Sequence, residues 1–148
     1  MSTSSPDEDA LALRVSDYLH SREGTSLAWD VEIEAVGPGF ARVAMILRKD
    51  MLNGQGIAHG GMIFALADTA FAYACNSRNT RTVAQSATIA FMAPGREGDR
   101  LVAEAREQVL RGRSGVYAVE VKSQTGEIIA IFQGLSRSTG ESVLPGIN

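Results

Sequence analysis

A single cysteine among 148 residues, Cys75, leaves no disulfide framework and no cysteine metal cluster to be built. Histidine is almost as scarce, at two. No G-x-S-x-G stretch occurs either, so a Ser-His-Asp hydrolase of the elbow type is excluded. Lysine and arginine nowhere form a block. With a net charge of -3 and a pI near 5.4, the chain lacks the basic face of a nucleic-acid binder. Apolar runs of membrane length are missing too. The run Met62–Cys75 falls short of the ~20 residues a span needs and holds Asp68 near its middle. The start, "MSTSSPDEDA", lacks the basic beginning and apolar core of a signal peptide, which predicts a cytoplasmic protein.

What is present fits one domain, long enough for a real core but too short for a large cleft between domains. Any pocket must lie inside the fold or between subunits. Leu11, Val15, Tyr18 and Leu19 recur at helical spacing and predict a short amphipathic helix docked on the body. "WDVEIEAV" alternates, with Trp29, Val31, Ile33 and Ala35 on one face, and Gly37-Pro38-Gly39 turns it into "FARVAMILR": a β-hairpin. From Gly60 to about Ser77 the chain is rich in Ala, Leu, Met and Phe and apolar on nearly every face, as in a helix covered on all sides. "TVAQSATIAFM", "DRLVAEAREQVL", "GVYAVEVKS" and "EIIAIFQGLSRS" then read as strands parted by turn signals. Strands, one long apolar helix, then further strands predict an α+β fold, an antiparallel sheet wrapped around a central helix.

Within "NGQGIAHGGMIFALADTAFAYACNS" the one formal charge is Asp68. Burying an unpaired carboxylate costs several kcal/mol and raises its proton affinity, so the residue needs a reason to be there. A structural one is that Asp68 caps a helix starting at Thr69, although no Glu or Gln stands at Phe71 to complete a capping box. A chemical one begins upstream. "HGG" sits where the helix should start, and glycines there leave backbone N–H groups open to close approach. A helix N-terminus can polarise a carbonyl or hold a developing oxyanion. A glycine turn between loop and helix, with His59 making a structural bond, is the plainer alternative. Gly60 and Asp68 are eight helical steps apart, ~12 Å, too far to act on one carbonyl that needs partners at roughly 3 Å. Two copies about a two-fold axis with antiparallel helices would bring Asp68 of one subunit to Gly60, His59 and Asn53 of the other. That predicts a composite site at a dimer interface.

"MLNGQGIAHGGMIFALADTAFAYACNS", with "FMAPGREGD" and "SGVYAVEV", closely resembles the PaaI-type phenylacetic-acid-degradation thioesterases of the hotdog-fold superfamily. The similarity runs from about Leu27 to Ser138. It divides the chain into an N-terminal tail and short helix (1–26), a hotdog domain (27–140) and a C-terminal tail (141–148). The resemblance implies a hydrolase of acyl-coenzyme A thioesters, with phenylacetyl-CoA or a ring-hydroxylated relative as substrate. It implies that Asp68 serves as general base or nucleophile and that Gly60 donates its N–H to the thioester carbonyl. It further implies that Asn53 and His59 orient water or substrate, and that Thr69 supports the aspartate or the attacking water. No metal and no cofactor are implied, coenzyme A being part of the substrate, and a dimer-of-dimers tetramer is.

For the phosphates of the coenzyme, Arg111 and Arg113 with Ser114 form the best basic cluster, and Arg96 and Arg137 are weaker candidates. A solvated hairpin is the alternative use of that turn. Phe91, Met92 and Pro94 can border the acyl pocket or the pantetheine channel, although core packing is the first expectation for Phe91. Two rivals remain: an acyl-thioester dehydratase or hydratase, which would carry a His-Phe-Pro type loop not found here, and a non-catalytic acyl-CoA binding module, which would function without Asp68.

Overall fold

The computed structural model describes residues 3–146; the ends of the two expected tails, residues 1–2 and 147–148, lie outside the described residues. The chain runs through helix α1 (Pro6–Arg22), the short helix α2 (Gly24–Ala28), strands β1 (Glu32–Gly37) and β2 (Phe40–Ile46), a 3₁₀ turn at Lys49–Met51, and helix α3 (Gly60–Asn76). Strands β3 (Thr80–Phe91), β4 (Arg100–Arg111), β5 (Ser114–Lys122) and β6 (Ile128–Ser142) follow. All strand pairs are antiparallel, in one six-stranded sheet of order β1-β2-β4-β5-β6-β3. The sheet curls around α3: this is the expected α+β hotdog fold.

Helix α1 reaches back to Pro6, into the acidic stretch that its apolar spacing left as tail. Ser5 accepts from the Glu8 N–H while Glu8 returns a bond to the Ser5 N–H, a capping box with proline at the first turn. Acidic residues Asp7, Glu8 and Asp9 there complement the helix dipole. The expected hairpin forms between β1 and β2, and Gly39 takes the left-handed conformation (φ 68°) that its turn requires. At the other end of the chain, β6 continues to Ser142, into the stretch expected to be tail.

The core lies between α3 and the concave face of the sheet. Phe71 from α3 meets Tyr117 of β5 and Phe132 of β6, with ring centroids 5.4 and 5.9 Å away, and Phe64 meets Phe132 edge-on at 5.3 Å. Strand β6 approaches this closely because position 134 is glycine: a Cβ there would sit 2.7 Å from the Phe71 ring.

Two features of the single chain stay uncovered. On α3, Gly61, Ala65, Asp68, Ala72 and Cys75 form a stripe at alternating spacings of four and three residues, and none of them is fully buried. The wrapping predicted for an all-apolar helix is therefore incomplete within one chain. The second feature is β3, a twelve-residue edge strand that is exposed along most of its length and pairs with no strand but β6. The opposite edge, β1, is blunted by shortness, by an irregularity between Ile33 and Ala35, and by the charges of Glu32 and Glu34. Strand β3 has two irregularities in its pairing with β6, at Thr80/Thr82 and Ala84/Ser86, but it is twice as long as β1 and its one charge, Arg81, stands near its start.

Candidate active site

Helix α3 begins where a tight loop delivers it. The His59 N–H bonds the Met51 carbonyl at 2.9 Å, the Asn53 N–H bonds the Ile57 carbonyl at 2.8 Å, and the Ala58 N–H bonds the Gly95 carbonyl at 2.8 Å. Asn53 also shapes this loop through its side chain, whose Oδ1 accepts from the N–H groups of Gln55 (2.9 Å) and Ile57 (3.4 Å). Its Nδ2 group has no acceptor among the described residues.

His59 is the N-cap of α3, and its Nδ1 accepts from the Gly61 N–H at 2.9 Å. An Nδ1 that accepts carries no hydrogen, so the neutral ring holds its proton on Nε2. The N–H groups of Met62 and Ile63 turn back to the His59 carbonyl, at 2.9 and 3.4 Å. The Gly60 N–H alone of this first turn has no hydrogen-bond partner among the described residues. It opens on a cleft of about 440 Å³ lined by Asn53, Gly60, Ile63, Phe91, Met92 and Pro94, among others. A Cβ on residue 60 would lie 3.0 Å from the tip of the Phe91 ring, so glycine lets that ring stand against the helix start. Phe91, first expected in the core, is 52% exposed and borders this cleft instead. The reason is topological: it ends the edge strand β3, where no further strand of the chain covers it.

Asp68 sits in the middle of α3, not at a cap, because the helix runs unbroken from Gly60 to Asn76. Its carboxylate is part-buried and has neither a hydrogen bond nor an ion pair among the described residues. Burial pushes its proton affinity above the usual carboxylate range, and the negative charge of Glu23 pushes the same way. Thr69 is buried, and its hydroxyl donates to the Ala65 carbonyl at 2.8 Å, so it faces back along the helix. The chain thus brings Asn53, His59 and Gly60 together and leaves Asp68 and Thr69 more than two turns along α3, at ~12 Å for Asp68.

The arginine cluster lies elsewhere. Arg111 and Ser114 pair across the β4–β5 hairpin, and Arg113 lines a small cleft of about 130 Å³ with Cys75, Arg78 and Thr80, beyond the C-terminal end of α3. Ser114 Oγ accepts from Arg137 at 3.4 Å. Within one chain this cluster is therefore at the opposite end of α3 from Gly60. Arg96 is nearer, next to Gly95, which lines the Gly60 cleft. The part-buried Cys75 thiol, pushed up to about 12 mainly by burial, is unsuited to nucleophilic chemistry. Among the described residues no group of three or more His, Cys, Asp or Glu side chains gathers to hold a metal ion, and no helix is long and apolar enough to cross a membrane.

Sequence reasoning missed Glu23. Its carboxylate, at the corner between α1 and α2, accepts from the Tyr73 hydroxyl of α3 at 2.6 Å. A lone Glu in "SREGTS" gives no sign of a contact fifty residues away.

Comparison with known proteins gives a consistent result. The thioesterase superfamily model matches residues 55–130. The acyl-coenzyme A thioesterase PaaI of Escherichia coli is 39% identical over 125 residues, covering 84% of this chain and 89% of that protein. A putative esterase of Archaeoglobus fulgidus is 36% identical over 132 residues, covering 89% and 86%. The solved structure of the E. coli PaaI protein from the phenylacetic acid degradation operon superposes with a TM-score of 0.89 at 37% identity, covering 90% of this chain and 97% of that one.

Proposed function

The chain belongs to the thioesterase superfamily and is a thioester hydrolase of the acyl-CoA class, and we propose that it hydrolyses phenylacetyl-CoA, or a ring-hydroxylated relative, at sites that two subunits build together. The observation that carries this reading is a pair of unsatisfied groups on one helix. Among the described residues Asp68 is a part-buried carboxylate without a partner, and Gly60 is a helix-start N–H without an acceptor. Alone each is a cost; set against one thioester they are a base and an oxyanion donor.

A two-fold dimer supplies that juxtaposition. Antiparallel pairing of β3 with its copy would satisfy the open edge, and the stripe around Asp68 would meet the same stripe of the second α3. Asp68 of one subunit then faces the Gly60 cleft of the other. The thioester carbonyl oxygen accepts from the Gly60 N–H, while Asn53 Nδ2 and His59 Nε2–H are the donors left to orient substrate or water. Asp68 takes the proton from an attacking water, or attacks the carbonyl carbon itself to form an anhydride that water then hydrolyses; either way the C–S bond breaks and coenzyme A leaves as thiolate. Thiolate is a good leaving group, so a base with one or two oriented donors, each contributing ~10²-fold, can suffice without a strong acid. Thr69 steadies the turn that carries Asp68.

With the helices antiparallel, the hairpin bearing Arg111, Arg113 and Ser114 in one subunit lies alongside the N-terminal end of α3 in the other, on the side where coenzyme phosphates emerge. Arg96 is a second cation for them. The reading needs no cofactor beyond the coenzyme A of the substrate, and it extends to a dimer of dimers through the outer sheet face, where Val109 and Ile131 are exposed. Cytoplasmic action suits the single free cysteine.

The experiment is phenylacetyl-CoA hydrolysis followed by thiol release, with wild type and Asp68→Asn compared at matched ligand occupancy. Loss of ~10²-fold or more with binding retained supports Asp68 as the reacting carboxylate. Undiminished hydrolysis by Asp68→Asn would sink the mechanism, and binding without turnover by wild type across a panel of acyl-CoA thioesters would sink the substrate reading.

A further inference from the structure

Glu23 has an arrangement that the hydrolytic machinery leaves unused. Its Oε2 accepts from the Tyr73 hydroxyl at 2.6 Å and from Ser26 Oγ at 2.8 Å, and its Oε1 accepts from Thr25 Oγ1 at 3.3 Å. Tyr73 and Ser26 are each 1% exposed, so the donors that fix Oε2 are themselves held by packing. No lysine or arginine makes an ion pair with Glu23 among the described residues. Neighbouring Arg22 lies over the Tyr18 ring, 5.2 Å from its centroid. Hydroxyls orient a carboxylate without cancelling its charge, which a guanidinium would do.

The position of that charge matters. Glu23 lines a cleft of about 310 Å³ between α1 and α3 with Tyr18, Leu19, Arg22, Ala72, Tyr73 and Asn76, where the Arg22 guanidinium is turned onto the Tyr18 ring and makes no ion pair with Glu23. Ala72 is one helical turn from Asp68 on the same uncovered stripe, and residues so spaced have Cβ atoms roughly 5–6 Å apart. Glu23 therefore holds its charge on the flank of α3 that continues from Asp68 toward the C-terminal end of the helix.

We propose that Glu23 is a positioning residue for the hydrolysis: locked by Tyr73 and Ser26 and in no ion pair among the described residues, it directs a fixed negative charge at the Asp68 carboxylate without touching the substrate. The electrostatics agree, since the Glu23 charge follows burial as the second cause that raises the proton affinity of Asp68. The other titratable groups near Asp68 are Tyr73 and Cys75, on α3 itself; both are held neutral, above their usual ranges, first by burial. The strands beneath α3 bring Tyr117 and the Arg78–Glu107 ion pair, toward the far end of the helix. In the proposed dimer His59 of the second subunit faces it as well. A base works better as its proton affinity approaches the working pH, which gives the arrangement a purpose.

The inference rests on Asp68 acting as the base, and the test separates the two. The pH profile of kcat/KM is recorded for wild type, Glu23→Gln and Glu23→Asp, with Asp68→Asn alongside. Glutamine keeps an oxygen for Tyr73 and Ser26 but removes the charge. The acid limb is expected to move to lower pH by about half a unit or more in Glu23→Gln, with kcat reduced several-fold and KM unchanged, and to stay near its wild-type position in Glu23→Asp. An acid limb in Glu23→Gln that superimposes on the wild-type one, whatever the change in kcat, overturns the role of Glu23. Wild-type hydrolysis by Asp68→Asn would instead overturn the mechanism on which it rests.

Discussion

The Gly61 N–H donates to Nδ1 of His59 across 2.9 Å, and this bond leaves the neighbouring Gly60 N–H as the free donor at the start of α3. Gly60 is the first helical residue, and His59 before it has φ −61° and ψ 131°, a conformation that tolerates a following proline. Gly60→Pro therefore removes the donor while suiting the helix. Its ring must displace the half-exposed Phe91 side chain, and Gly60→Ala, which keeps the N–H and meets the same ring, is the control. Hydrolysis assays should show kcat down by ~10²–10³ in the proline variant and far less in the alanine variant, with helical circular dichroism preserved in both. Equal losses would assign the effect to Phe91.

Asn53 has a structural half and a chemical half. Asn53→Asp retains an oxygen for the Gln55 and Ile57 N–H groups but has no Nδ2 donor. Thermal melting should stay close to wild type while kcat falls by roughly tenfold or more. Asn53→Ala should lose both stability and activity; an Asp variant as active as wild type would restrict Asn53 to shaping the loop.

Asp68 should cost stability where it is ionised. Its proton affinity in the folded chain is raised above the ordinary value of 3.8, first by burial and then by Glu23. Its stabilising contribution is therefore full below that ordinary value and is lost as pH rises through the raised one. Asp68→Asn stays neutral, so it should melt at higher temperature than wild type at pH 7, with the gap closing at acid pH. Melting curves at the two pH values check this; a less stable variant at pH 7 would show that the carboxylate gains more from its surroundings than it gives up.

The edge strand makes the dimer testable on its own. Val83 lies on β3 and is 49% exposed in the single chain, so Val83→Asp should leave the fold intact. It places like charges across the proposed β3–β3 contact, where directly opposed charges are destabilising. Sedimentation should show a shift toward monomer, with activity lost in proportion. A monomer that retains full activity would refute the shared site.

Much of the fold could be read in advance because local signals agree. Alternation marks β1, glycine turns part the later strands, and an Ala-rich stretch without proline, or glycine beyond its first two residues, makes α3. Asp68 was conspicuous because it is the one charge in that stretch. What escaped depends on distance along the chain. The Glu23–Tyr73 bond joins segments with no shared pattern, and the exposure of Phe91 follows from β3 being an edge, which depends on the order of strands in the sheet. The arginine hairpin lies, within one chain, at the opposite end of α3 from Gly60, a separation that residue type alone does not carry. The start of α1 was hidden because its capping residues are polar and carry no periodicity.

The shared site is tested most directly by mixing two inactive proteins, Asp68→Asn and Gly60→Pro, under conditions where subunits exchange. If Asp68 of one subunit works with Gly60 of the other, each mixed dimer holds one site with both groups intact and one with neither. Random exchange makes half the dimers mixed, so activity should return to about a quarter of the wild-type level. If both groups act within a single chain, every subunit still carries a defect, and the mixture will stay as inactive as its components.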